Sequence, residues 1–222
     1  MRTDYPAHDR VYRERRTLDG YQGWDDHEAF ESGNAIVREV MAWPEVPASG
    51  HLLEIGCGAA NHLFGLAPRF DLAGIDISPT AVEWGLEHAR DGGVTADLRA
   101  GDVRELPWPD ATFDVVRDGH LLHCIIGDDR PKVLGEALRV LRPGGVFVVF
   151  TMCGDKGLPA DVWDWETRLC MLRGVATRYV GFPEQIVEEV RAAGFAILRS
   201  QIFPDEDPDG TEELVVVARK PE

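Results

Sequence analysis

The chain reads as an α/β protein with a mostly parallel seven-stranded sheet, helices on both faces and an antiparallel last strand. Three observations point there. Short apolar runs alternate with amphipathic helical stretches, which argues for strand–helix–strand units and a parallel sheet. The first apolar run, Leu52 to Ile55, ends in Gly56-Cys57-Gly58, a tight turn that feeds small residues and a helix. The last two strands are joined by Pro204-Asp205-Glu206-Asp207-Pro208-Asp209-Gly210, a polar link short enough to suit an antiparallel hairpin.

The elements follow in order. Residues 1–47 hold the amphipathic pattern Ala29-Phe30, Ile36-Val37, Val40-Met41, Trp43 and stop at Pro44 and Pro47, which predicts one or two helices ahead of the sheet. Strands are expected near 51–55, 71–75, 94–99, 113–117, 145–151, 195–203 and 212–219, and helices near 60–69, 79–91, 130–141 and 183–193. Ser78-Pro79 is a helix start, with Ser as N-cap and Pro in the first turn. Residues 153–180 interrupt the alternation with an aromatic-rich insertion that includes Trp163, Trp165 and Tyr179. The expected organisation is a single domain: an N-terminal helical cap (1–47), a cofactor-binding core (48–152), a substrate lid (153–182), and a C-terminal helix and strand hairpin (183–222).

Composition narrows the partners. The 222 residues are 44% hydrophobic, enough for one sizeable core, and the formal net charge is −16. Phosphate backbones and anionic membrane surfaces bind through Lys and Arg, so nucleic acid and membrane are both disfavoured. Arg10, Arg13, Arg15 and Arg16 form a small basic patch that reads as a solvated helix face. No apolar run is long enough to span a bilayer and no signal peptide is visible, so a cytoplasmic enzyme is expected. The four cysteines form no CxxC pair and are expected to be reduced.

The glycine turn poses the question of which nucleotide. Glycines let a backbone approach a ligand where a Cβ would clash, and a helix start offers N–H groups to it. A dinucleotide fingerprint would need a third glycine where Asn61 stands, and a pyrophosphate would sit badly beside Glu54. A cofactor with an ammonium and a sulfonium would welcome that acid. Asp76 lies about 20 residues beyond the turn, the spacing at which a carboxylate accepts both ribose hydroxyls.

Glu54-x-Gly56-x-Gly58 resembles motif I of the class I S-adenosylmethionine (SAM)-dependent methyltransferases, with Ala60 where the family usually has Gly. Leu72 to Ser78, Ala100-Gly101-Asp102-Val103, Phe113 to Val116 and Leu138 to Gly145 resemble the family's later motifs in its order. The resemblance covers residues 50–152 closely and 183–219 as a fold. It implies a Rossmann-like architecture and SAM as cofactor. Glu54, Gly56, Cys57 and Gly58 would then shape the methionine end, with Asp118 and Gly119 near it. Asp76 would hold the ribose, Ile77 would pack on the adenine, and Asp102 with Val103 would read its edge. Trp24, with Tyr21, would close over the cofactor from the N-terminal segment.

The chemistry is expected just after the fourth strand, at Arg117-Asp118-Gly119-His120-Leu121-Leu122-His123-Cys124. A sulfonium is already activated, so positioning supplies much of the rate. A base is needed where the nucleophile carries a proton, and His is the side chain suited to it at neutral pH. His120 is the favoured base and His123 the alternative. Arg117 beside Asp118 suggests an ion pair at the strand end. His120 and His123, three apart, could also share a face and with Cys124, Cys153 or Asp118 bind zinc or iron. The aromatic insertion suggests an organic substrate with an apolar part, or simply packing of the insertion onto the sheet. The expected activity is methylation of a small organic molecule at O, N, C or S. Methylation of a protein, a non-methylating SAM-binding role and an NAD-dependent oxidoreductase are the alternatives.

Overall fold

The computed structural model describes residues 3–25, 27–154, 162–204 and 211–222. Helix α1 (Ala7–Arg15) and helix α2 (His27–Met41) precede the sheet. Strands β1 (Gly50–Ile55), β2 (Phe70–Asp76), β3 (Ala96–Ala100) and β4 (Phe113–Asp118) alternate with α3 (Asn61–Phe64) and α4 (Pro79–Gly92). A 3-10 turn (Leu122–Cys124) and α5 (Asp129–Val140) lead to β5 (Leu141–Cys153). Then come three short strands, β6 (Trp163–Asp164), β7 (Leu169–Leu172) and β8 (Val175–Tyr179). Helix α6 (Pro183–Ala192) and strands β9 (Ala196–Phe203) and β10 (Glu212–Arg219) finish the chain.

Seven strands form one sheet in the order β3-β2-β1-β4-β5-β10-β9, and only β10 runs against its neighbours. The strand order reverses beside β1 and β4, and the crevice at their carboxyl ends is the place where ligands bind in such sheets. Two apolar cores cover the two faces. Leu53, Ile55, Val116, Phe147 and Val149 meet α5 and α6 on one side. Leu52, Val115, Val148, Phe150 and Val215 meet α2 and the α3 region on the other. Val37, Val40 and Met41 are the buried stripe of α2, as its periodicity predicts; the side chains of Ala29 and Phe30 lie outside the described residues.

Three expectations change. The helix expected near 60–69 is a single turn, and Pro68, which has no N–H, cannot continue it. The insertion, for which no strands are expected, forms β6, β7 and β8, which pair antiparallel as a separate small sheet. The basic patch is partly engaged rather than simply solvated. Arg16 reaches Glu87 at 2.5 Å and Glu83 at 3.2 Å on α4, and Arg15 lies over the Trp24 ring. Residues 205–210 of the expected hairpin link lie outside the described residues, while β9 and β10 pair antiparallel as expected.

Candidate active site

β1 runs straight into the glycine turn. Gly56 and Gly58 take φ of +70° and +52°, the left-handed region that glycine enters without steric cost. A Cβ on Gly56 would lie 2.7 Å from that of Leu121, and one on Gly58 would strike the Tyr12 hydroxyl. Ala60 also sits at φ +60°, which explains why glycine suits that place and shows that alanine is held there against its preference. The turn differs from expectation in its amides. Gly56 and Cys57 donate to Ile75 O, Gly58 to Asp76 Oδ2 and Ala60 to Cys57 O. These N–H groups are satisfied internally, so the turn offers close approach rather than a cradle of amide donors.

Asp76 anchors the neighbouring strand end. Its two oxygens accept from Gly58 N and Ser78 N, each at 2.9 Å, tying the turn to the start of α4. Burial raises its pKa against those two bonds. Ser78 caps α4 through Ala81 N, and its own hydroxyl donates to Asp9 at 2.8 Å, which docks α1 onto the same corner. Tyr12 and His8 on α1 pack against Trp24, so that ring stands over this end of the site. Tyr21 packs in the same cluster behind the wall. Asp102 is partly engaged: Arg104 binds both of its oxygens and bridges on to Asp129 at 2.8 Å.

Two expectations at β4 are corrected. Arg117 does not pair with Asp118. It is fully buried on the opposite face of the strand, with Nη2 2.6 Å from Glu54 Oε1. Glu54 therefore is not an uncompensated acid, although its Oε2 has no hydrogen-bond partner among the described residues. Burial raises its pKa and Arg117 opposes that rise. Asp118 is also fully buried and turned away from the site. It accepts from Leu121 N at 2.6 Å and Leu122 N at 3.2 Å, and so orders the turn. Burial pushes its carboxyl up to about 7.

His120 lies at the join of the two ends of the site, with φ of +61°. Its ring stacks on Phe150 with centroids 5.9 Å apart, and Nε2 approaches Glu213 Oε1 at 3.1 Å. Although 39% of the side chain is open to the cavity, surrounding protein pushes the imidazole down to about 4, and Arg117 adds to this. Burial pushes Glu213 up to about 7 against the pull of Arg117. Glu213 was not anticipated from sequence. Its signal was the alternation of β10, which puts Glu213 on the face of Val215 and Val217. His123 is buried in the 3-10 turn, with Nδ1 sealed from solvent and unpartnered. Desolvation holds it neutral. Burial raises the Cys57 and Cys124 thiols, the latter to about 11, so neither is a ready nucleophile. Among the described residues no group of three His, Cys, Asp or Glu side chains comes together to hold a metal ion.

One cavity of about 640 Å³ connects these groups, within the range of sites for drug-sized ligands. Its wall includes Glu54, the turn Gly56–Gly58, Asp76, Ile77, Asp102, Val103 and Trp24 at one end. His120 and His123 lie between, and Met152, Val162, Cys170, Leu172 and Arg178 form the other end. The residues fit SAM. Carboxylates stand where hydroxyl and amine donors would be met, Ile77 and Val103 give an apolar ledge, and Glu54 Oε2 is an unused buried acceptor for a cation. Among the described residues no helix is long and apolar enough to cross a membrane.

Comparison with known proteins agrees with this geometry. Residues 53–149 match the family described as "Methyltransferase domain". A sterol 4-C-methyltransferase of Caenorhabditis elegans is 32% identical over 135 residues, covering 60% of this chain and 39% of the relative. The 27-O-demethylrifamycin SV methyltransferase of Amycolatopsis mediterranei is 36% identical over 132 residues, covering 55% and 46%. The matches thus span less than half the length of these two relatives. In fold, the chain is similar to a Burkholderia thailandensis 1,6-didemethyltoxoflavin-N1-methyltransferase solved with 1,6-didemethyltoxoflavin and S-adenosylhomocysteine, with a TM-score of 0.72 and 24% identity over 97% of this chain and 86% of that one. The glycine turn, the strand-end acids and the seven-stranded sheet agree with these matches: residues 53–149 of this chain are similar to the methyltransferase domain.

Proposed function

We propose that this chain transfers the methyl group of SAM to a small organic acceptor, with His120 as the base where the acceptor atom carries a proton. When bound, SAM supplies an electrophilic methyl carbon on a sulfonium. Glu54, Gly56, Cys57 and Gly58 would hold its methionine end, Asp76 its ribose, and Ile77, Asp102 and Val103 its adenine, with Trp24 closing over it. Asp118 acts one step back, by fixing Leu121 and Leu122. In this reading residues 1–47 are the cap, 48–152 the cofactor core, 153–182 the lid and 183–222 the closing helix and hairpin.

The observation that supports the reading best is the continuity of one cavity from the glycine turn and Asp76 to His120 and on to the inserted sheet. An acceptor there is held beside the methyl donor and away from bulk water, which is how most of the rate is won in such a displacement. Glu213 Oε1 stands 3.1 Å from Nε2, outside hydrogen-bond geometry. Above about pH 7 its carboxylate is charged and would favour the imidazolium that His120 forms on taking a proton. Arg117, Asp25 and Glu54 bear on the same ring. Glu213 is thus a positioning residue acting through His120. His123, enclosed and held neutral, is the lesser candidate.

The acceptor is small because the cavity is bounded by α1 and the inserted sheet, and the net charge of −16 disfavours nucleic acid. The names of the similar proteins span carbon, oxygen and nitrogen acceptors, so the atom is left open. We place the activity in the cytoplasm, a reading supported by four free cysteines. The test is transfer of labelled methyl from SAM into an extract of the source cells. Label is expected in the small-molecule fraction. Label confined to macromolecules would overturn the acceptor class, and no label with SAM bound would favour a non-methylating role.

A further inference from the structure

Two arginines line the cavity, and they differ. Arg104 is tied to Asp102 at 2.6 Å and Asp129 at 2.8 Å. Arg178, on β8 opposite Cys170, has no hydrogen bond or ion pair among the described residues. Arg104 is held by carboxylates on both sides, whereas the Arg178 guanidinium is left to the cavity. Its surroundings give it no counter-charge. Met152, Val162, Cys170 and Leu172 make the adjacent wall apolar. The nearby His123 lines the same cavity, its Nδ1 sealed from solvent and unpartnered among the described residues. A permanent cation facing an apolar-walled cavity with no partner among the described residues is suited to an anionic ligand.

The geometry points to an anion subsite at the inserted-sheet end of the cavity: the Arg178 guanidinium takes a carboxylate of the acceptor, while its apolar body lies on Met152, Val162 and Cys170. A carboxylate matches the guanidinium fork with two parallel hydrogen bonds, and the low-dielectric wall strengthens them. His123, held neutral by burial with Arg178 contributing, adds no charge beside it. The acceptor class is therefore an organic acid with an apolar body. Calling it the acceptor rests on the methyltransferase reading; the binding of the anion does not.

Calorimetric titration separates the two. Naphthoate and its uncharged amide are titrated into the whole protein, with and without S-adenosylhomocysteine, and into R178Q and R178K. Naphthoate is expected to bind the wild type about 10-fold tighter than the amide or better. R178Q should bring the two affinities together, R178K should keep part of the difference, and both should bind S-adenosylhomocysteine like the wild type. Equal wild-type affinities, no binding of naphthoate at millimolar concentration, or a preference that survives in R178Q would overturn the subsite. If S-adenosylhomocysteine fails to bind while the preference holds, the methyltransferase reading falls and the anion subsite stands.

Discussion

The two ends of the cavity are built in different ways. The cofactor end is made from strand ends of one sheet and is cross-tied. Asp76 joins the glycine turn to α4, Asp9 joins α1 to α4, and Asp118 holds the turn after β4. The end proposed for the acceptor is made from a separate three-stranded sheet and a 3-10 turn, and its polar residues Arg178 and His123 have no such ties among the described residues. On the proposed function, the main sheet would fix where the methyl donor sits and the insertion would fix what is methylated.

The largest effect should come from breaking the join between the ends. His120→Ala is expected to lower kcat by about 10²–10⁴-fold with little change in S-adenosylhomocysteine affinity, read by steady-state kinetics and calorimetry. Glu213→Gln should remove the rise of activity with pH centred near 7 and leave binding intact. An unaltered pH profile would show that Glu213 only packs against the ring.

Next comes the support beneath the cofactor end. Arg117→Met leaves Glu54 charged and unpaired in the interior, and should cost about 3–5 kcal/mol of stability in chemical denaturation. Replacing Glu54 by Leu in the same chain should recover most of that loss. A single and a double variant of equal stability would show that the pair is not what matters there.

A smaller, local effect is expected at the glycine turn. Gly58→Ala forces a Cβ into left-handed backbone against Tyr12, which costs about 1–2 kcal/mol and should weaken S-adenosylhomocysteine binding by roughly that factor. The same substitution at Gly174, at φ +76° between β7 and β8 and with open space around its Cβ position, should cost strain alone and leave cofactor affinity unchanged.

The gentlest probe is pH. His120 and His62 are pushed from 6.5 down to about 4 and about 3, so the unfolded chain binds more protons and stability falls as pH drops below 6.5. Asp118 is pushed from 3.8 up to about 7, so the folded chain holds the extra proton and stability falls as pH rises from about 4 to 7. Glu213, raised from 4.5 to about 7, adds to the same slope, so Asp118→Asn should reduce the second slope without abolishing it and leave the first, as followed by thermal melts across pH.

How far the sequence could be read follows the same division. The cofactor end was legible because strand ends leave local marks: apolar runs, glycines where φ must be positive, an acid at the next strand end. Asp76, read from its spacing, and Ile77, Asp102 and Val103, implied by the family resemblance, line one cavity. What failed needed side-chain direction. Arg117 was read as the partner of its neighbour Asp118, yet adjacent strand residues point to opposite faces. Counting by twos places Arg117 with Val115, Glu54 with Leu52, and Glu213 with Val215. The acceptor end depended on pairing that no local pattern sets. Arg178 faces the cavity only because β8 pairs with β7 and packs on the 3-10 turn.

The most direct measurement is calorimetric titration of S-adenosylhomocysteine into the wild type and Asp76→Ala. Saturable one-to-one binding by the wild type, weakened by about 10-fold or more when the strand-end carboxylate is gone, is the expected result. No binding by the folded wild type, or NAD binding in its place, would contradict a SAM site at the glycine turn.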